Sequence, residues 1–297
     1  MPSIVRTRPM APVSVIIMCI VAAALVRAAV DRSVFVSVLD DKGQPVDGLT
    51  VKDFEVREDG VAREVLRVDR ATEPLQIALL IDDSAAAERF IKQFRDGAKA
   101  FVNTITAAGR NQIAVITVGE RSTLVLDYTT DAAALAASID RIFPRSGSGM
   151  QLLDGIIDAA KGLAKREDTA RKHIVIMMTE GIEFSTEHEQ TVVDALYRAG
   201  ATMHALVLTA ATASDMAQEV RTRNVVLDVG TRTTGGRRDT LLAEMSIEGA
   251  FASLARELLS QYRVVFSRPD TLIPPEKLSV RATRPGLTVR ARTRAEK

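Results

Sequence analysis

LQIALLIDDSAAA, residues 75–87, decides the fold. Ile77 to Ile81 is apolar at every position and presents no polar face. Such a run is a strand buried on both sides, as in a parallel sheet covered by helices. It stops at Asp82-Asp83-Ser84, and the residues beyond change period. Phe90, Ile91, Phe94, Ala98, Phe101, Val102 and Ile105 recur at helical spacing. Apolar strand, acidic turn and amphipathic helix place carboxylates at the carboxyl end of a central strand, where open α/β sheets keep their sites.

Downstream the alternation continues. Gln112 to Gly119 and Ser122 to Tyr128 read as an antiparallel edge pair around Glu120-Arg121. Asp131 caps a helix that buries Leu135, Ile139 and Ile142. Leu152, Leu153, Ile156, Ile157, Ala160 and Leu163 line the next helix. His173 to Met178 and Met203 to Leu208 are further buried strands, with a helix from Glu189 to Ala199 between them. Thr231 to Gly236 reads as a glycine-containing loop, and Ile247 to Leu259 as the last helix. The expected fold is α/β: a doubly wound, mostly parallel sheet with helices on both faces.

Both flanks read as β. Val34, Val36 and Val38 alternate with their neighbours, Asp41 to Pro45 is a turn, and Phe54 to Glu58 alternates again. Asp59-Gly60 is a hairpin signal before a strand from Val61 to Val68. At the other end Tyr262 to Phe266 is a strand and Arg268 to Pro275 an irregular loop. Leu278, Val280 and Ala282, then Leu287, Val289 and Ala291, alternate around a Pro285-Gly286 turn. An arm of this size cannot bury both faces alone. The tail is its expected partner, which divides the chain into arm (31–72), α/β domain (73–260) and tail (261–297).

Composition narrows the function. The 297 residues carry a formal charge of +1 and no tryptophan. Near-balanced charge argues against nucleic acid as a partner, and scarce aromatics argue against a stacking platform. The N-terminus reads as a targeting segment over 1–28. Arg6 and Arg8 precede an apolar run from Val13 to Val26, and Val26-Arg27-Ala28 offers a peptidase site. At about 14 residues the run is short of the roughly 20 that span a bilayer. A cleaved export signal is expected, with an uncleaved anchor, the one route to a membrane, as the alternative. Cys19 lies inside the run and lacks the Leu-Ala-Gly context of a lipoprotein signal. The mature chain would therefore be periplasmic or extracellular and free of cysteine.

The strand and turn at 75–87 resemble the opening of the von Willebrand factor A-type domain, whose metal loop reads Asp-x-Ser-x-Ser. VLDDKGQPVDGLTVKDFEVREDG, residues 38–60, resembles the arm that precedes this domain in a bacterial family of exported proteins. The resemblance implies three loops converging on a divalent cation, whose open position takes a carboxylate from a protein ligand. Here Asp82 and Ser84 match the first loop and Ala86 departs from it. Aligning on Asp154-Gly155 puts Met150 where the family has threonine, within Ser146-Gly147-Ser148-Gly149-Met150. The third loop reads Thr179-Glu180-Gly181 in place of Thr-Asp-Gly.

Magnesium demands compact octahedral oxygen coordination. Ala86 removes one oxygen, Met150 offers a soft thioether, and Glu180 carries its charge one methylene further out. Asp82, Ser84 and Glu180 remain as ligands for a weakly held Mg²⁺, Ca²⁺ or Mn²⁺, with Asp83 and Ser148 as substitutes. The expectation is a rim of Asp82, Asp83, Ser84, Ala86, Ser148, Met150 and Glu180 that binds protein without a cofactor. Structural roles compete: Asp82 as a helix cap, Glu180 as an acceptor for loop amides.

Enzyme readings find less support. There is no Gly-x-Ser-x-Gly elbow. His173, His188 and His204 lack metal-ligand spacing, and His173 and His204 read as satisfied core or strand-end residues. The acidic pair suits a receiver-like phosphoacceptor, yet no later strand ends in the required aspartate. Arg290, Arg292 and Arg294 read as a solvated edge. The expected function is an exported adhesion or scaffold module. A metal-bridged adhesin, a receiver-like phosphoacceptor and a hydrolase are the alternatives.

Overall fold

The computed structural model describes residues 29–295 apart from 146, 148, 167–168, 210–217 and 271–272. The targeting segment expected over 1–28, with Cys19, and the candidate ligand Ser148 lie outside the described residues. Among the described residues no helix is long and apolar enough to cross a membrane.

The chain starts in β1 (Ala29–Leu39), β2 (Phe54–Glu58), β3 (Val61–Arg63) and β4 (Val65–Arg70). The α/β region follows with β5 (Leu75–Ile81), α1 (Ile91–Ala107), β6 (Gln112–Val118), β7 (Ser122–Thr129), α2 (Ala132–Asp140) and α3 (Leu152–Ala164). It continues through β8 (Arg171–Thr179), α4 (Glu189–Ala199), β9 (Thr202–Leu208), α5 (Gln218–Thr234), β10 (Arg238–Leu241) and α6 (Ile247–Leu259). The tail supplies β11 (Tyr262–Pro269), β12 (Leu278–Ala282) and β13 (Thr288–Arg290).

Six strands form one sheet in the order β10-β9-β8-β5-β6-β7, parallel except for the edge strand β7. Every residue of β5 is buried, as its unbroken apolar run requires. Ile77, Leu79 and Ile81 pack with α1, α2 and α6 on one face, and Ala78 and Leu80 with α3, α4 and α5 on the other. The fold is the doubly wound α/β sheet that the sequence predicts. Asp131 caps α2 as expected, accepting from Ala133 N and Ala134 N.

The two flanks build a smaller β-unit. β1 runs antiparallel to β11 and to β13, and β4 adds to the far side of β11. β2 lies between β12 and β3 in a second sheet. Their shared core holds Val34, Val36, Phe54, Val56, Tyr262, Val264 and Phe266. The α/β region enters and leaves this unit through a neck where Ala71 N donates to Gln261 O at 2.9 Å. Arg171 seals the neck by donating to Glu73 O, Leu258 O and Gln261 Oε1.

Four expectations need correction. The single strand expected over 61–68 breaks at Glu64, so that β3 and β4 join different sheets. The β4–β11 ladder leaves Leu66 of β4 unpaired between Val265 and Phe266, and at the break the Glu64 carbonyl accepts from Ser267 N. Arg268 is not in a loop: β11 extends through it, because its guanidinium is drawn 2.8 Å from the buried Glu58 carboxylate.

Thr231–Thr234 is the last turn of α5 and not a loop; α5 and β10 were not expected at all. The threonines tolerate the helix because Thr231, Thr233 and Thr234 donate to the carbonyls of Leu227, Val229 and Gly230.

Arg290 and Arg292 do not line a solvated edge, whereas Arg294 stays exposed as expected. Arg290 donates to Glu257 at 2.8 Å, Arg292 to the Gly200 carbonyl at the end of α4 at 3.2 Å, and Arg294 lies 3.7 Å from Asp194. Carboxylates and a helix carboxyl end face them, so they fasten the tail to the α/β region.

Candidate functional site

β5 and β8 are parallel neighbours, so their carboxyl ends bring Asp82 and Thr179 together. Asp82 is fully buried: Oδ1 accepts from Ser84 N at 2.8 Å, and Oδ2 from Thr179 N at 3.0 Å and Thr179 Oγ1 at 2.7 Å. It therefore clamps two strand ends together. The helix-cap role is corrected, since a 3-10 turn (Ala85–Phe90) with Ser84 at its cap position intervenes before α1. Asp83 faces away, accepting from Gly119 N at 2.7 Å and pairing with Arg145 at 3.1 Å. A Cβ at residue 119 would run into Asp83 Oδ1, which explains a glycine there.

Ser84 is buried and its Oγ has no hydrogen-bond partner among the described residues. Ala86 closes against Gly181: a Cβ on that glycine would sit 2.9 Å from Ala86 Cβ and 3.7 Å from Ser84 Oγ. The first and third loops thus touch where the resemblance implies a cation. Met150 is elsewhere, fully buried in the apolar core beside α3. Its backbone joins the third loop through Met150 N to Ile182 O at 2.9 Å and Phe184 N to Met150 O at 2.7 Å. Glu180 is half-buried and makes no side-chain hydrogen bond among the described residues. The amide-binding role expected of it belongs to Glu183, whose Oε1 accepts from Leu152 N at 3.0 Å and Ser185 N at 3.1 Å.

Two residues escaped the sequence reading. Glu183 Oε2 is buried without a partner, and burial pushes this carboxyl up to about 7. Arg223 of α5 is entirely buried and donates through Nη1 to the Gly181 carbonyl at 2.6 Å. Its Nε and Nη2 have no partner among the described residues. Burial pulls this guanidinium's pKa down, while the negative charges of Glu183, Glu180 and Asp82 oppose the shift. A signal was available: Val220, Arg223 and Leu227 fall on one helical face, so an arginine shares the buried stripe of α5. Among the described residues no three of His, Cys, Asp and Glu are grouped to hold a metal ion.

None of Asp82, Asp83, Ser84 and Met150 is at the surface. What the strand ends expose instead is apolar: Ile182 and Phe184 flank Glu183, and Phe143 precedes Arg145. Leu242 and Met245, just past the carboxyl end of β10, are about 85% exposed, at 85% and 86%. At the opposite end of the sheet His173 Nδ1 and His204 Nε2 meet at 3.2 Å. They are core histidines as expected, but each ring's other nitrogen lacks a partner. Burial holds both pKa values down, His204 to about 3 with help from Arg237 and Arg290.

Residues 77–183 match the family model of the von Willebrand factor type A domain. Among solved structures the fold is similar to a von Willebrand factor type A protein from Catenulispora acidiphila. That match has 14% identity and a TM-score of 0.51, over 82% of this chain and 73% of that one. The pilus adhesin SpaC from Lactobacillus rhamnosus GG aligns at 11% identity and TM-score 0.51, over 87% of this chain and 49% of that one. Proximal thread matrix protein 1 from the mussel byssus, solved with zinc in its adhesion motif, aligns at 12% identity and TM-score 0.50. The alignment covers 68% of this chain and 49% of that one. Such identities establish a shared fold. A search of curated proteins finds no match.

Proposed function

Because the chain carries a von Willebrand factor type A domain, we propose that it is an exported protein-binding module of adhesion or scaffold type. It binds its partner at the carboxyl ends of the strands without a metal ion. We take 1–28 as its export signal, 31–72 and 261–297 as one β-unit, and 73–260 as the binding domain. The observation that carries the reading is the apolar rim. Phe143, Ile182 and Phe184 are more than half exposed, above a floor of buried polar groups that includes Asp82, Ser84 and Glu183. Exposed apolar side chains gathered at one end of a sheet support a protein contact, since water gains nothing from them.

The residues present do not fit a divalent cation. Both Asp82 oxygens are engaged by backbone and hydroxyl donors, Ala86 supplies no oxygen, and Met150 is a core side chain. Of the rim expected from the sequence, Asp82, Asp83, Ser84 and Met150 are better read as a floor, with the contact made by the apolar side chains above it. Metal bridging is the second reading. Ser84 Oγ favours it, as a buried oxygen left without a donor.

The test is partner capture from envelope extracts by the chain from residue 29 onward, with and without chelator. Capture that survives chelator and is lost in Ile182→Asp with unchanged melting is the expected result. Capture abolished by chelator would move the protein to the metal-bridged class.

A further inference from the structure

At the amino ends of the strands, across the sheet from the rim, the α/β region and the β-unit enclose a cavity of about 390 Å³. It is bounded by β1, by the starts of β8 and β9 and by the carboxyl ends of α4 and α5. That volume is in the range of small-molecule sites. Arg171, Lys172, His173 and Arg292 line it, and no aspartate or glutamate does among the described residues. The fold leaves much of this charge without an opposite charge. Arg171 is buried, yet it donates to the Glu73 and Leu258 carbonyls and to Gln261 Oε1, all neutral acceptors. The Glu73 carboxylate is taken by Arg263 at 3.0 Å. Lys172 donates to the Arg166 carbonyl at 2.7 Å, which leaves its ammonium two further N–H groups.

Two further features point to a ligand. His173 is 2% exposed; its Nδ1 meets His204, and its Nε2 has no partner among the described residues. Ser33 to Phe35, on the β1 side of the cavity, pair with β11 on one side only, because the pairing with β13 stops at Ser37. Alternate backbone groups of that edge are therefore without a strand to bond. We propose that this cavity binds a small oxyanion, a phosphate or carboxylate group bonded by Lys172 and drawn in by the Arg171 charge. Oxyanions make their strongest hydrogen bonds with such cations, and a buried guanidinium without a carboxylate gains most from one. A bound anion touches both β1 and the start of β8, so it ties the β-unit to the α/β region. The site is separate from the rim and independent of what the rim binds.

The test is melting of the full chain in phosphate, citrate or chloride at constant ionic strength, with the imidazole proton resonances followed by NMR. Phosphate or citrate at about ten times its dissociation constant should raise the melting temperature by roughly 3 °C over chloride. A rise with phosphate alone assigns a phosphate site, and a rise with citrate alone a carboxylate site. The His173 resonance should move with the anion while that of the exposed His188 stays. Lys172→Met should weaken the response about tenfold in concentration. Ser33→Asp, which puts a carboxylate on the cavity wall, should abolish it. Phosphate also stabilises folded proteins non-specifically, so an equal rise in the parent and both variants overturns the proposal. A parent that melts alike in all three salts overturns it, as does a rise in melting that leaves His173 unmoved. If Lys172→Met fails to fold, Ser33→Asp decides: a lost response supports the site and a retained one overturns it.

Discussion

Glu58 and Glu183 are both buried carboxylates, and their surroundings differ in almost every other respect. Glu58, in the β-unit, has an arginine on each oxygen: Arg268 on Oε1 at 2.8 Å and Arg63 on Oε2 at 2.9 Å. Glu183, at the rim of the α/β region, spends one oxygen on two backbone amides and leaves the other without a partner. Arg223, which bonds the neighbouring Gly181 carbonyl, has two nitrogens without a partner among the described residues. A closed charge pair is what a fold uses to hold itself together. Polar groups left unsatisfied at one end of a sheet cost stability, and they concentrate where binding sites are built.

The largest effect should come from opening the closed pair. Glu58→Ala would strand Arg268, which is buried, and should cost about 3–5 kcal/mol in urea unfolding. A loss below about 1 kcal/mol would make the pair ornamental and remove the contrast.

Next comes the open site, through pH. Glu183 titrates at about 7 in the folded chain against an ordinary 4.5, so the folded state holds the extra proton between those values. Its contribution therefore favours folding at low pH and is lost as pH rises through that window, by about 3 kcal/mol in all. Neutral burial of His173 and His204 tilts the curve the other way below their ordinary 6.5, so the comparison must be with a variant. Glu183→Gln should be more stable than the parent at pH 8 by about 2–3 kcal/mol and equal to it near pH 5. Parallel stability curves for parent and variant would assign the slope elsewhere.

The smallest effect should be Arg63→Ala. Arg268 keeps its bonds to Glu58, and only one charged hydrogen bond is lost, worth about 1.5 kcal/mol. A loss as large as that of Glu58→Ala would mean the two arginines act as one unit.

Most of the frame was legible. β5 and β8 announce themselves as apolar runs, and the helices α1, α3, α4 and α6 as apolar stripes, because full burial leaves no room for polar positions. α5 was not, because QEVRTRNVVLDVGTRTT has few apolar residues and ends in threonines that usually argue against a helix. Missing α5 meant missing Arg223, since a charged residue outside a known helix has no buried face to violate. At the site, Asp82 was legible from its place after β5. Glu183 was not, because an acid between Ile182 and Phe184 reads as surface until the loop is seen folding back on Met150. Nor could the alternation of Arg290 and Arg292 say whether water or Glu257 lay opposite.

The neck has a mechanical consequence. Ala71 and Gln261 meet, so the whole α/β region hangs from the β-unit by two adjacent strands of backbone. Tension applied through residues 29 and 295 enters the pairing of Ser37–Leu39 with Thr288–Arg290, and also reaches α4 and α5 through Thr293 N on the Thr233 carbonyl, Arg292 on the Gly200 carbonyl and Arg294 beside Asp194. The α/β region therefore takes load at the carboxyl ends of α4 and α5, at the opposite end of its sheet from Phe143, Ile182 and Phe184.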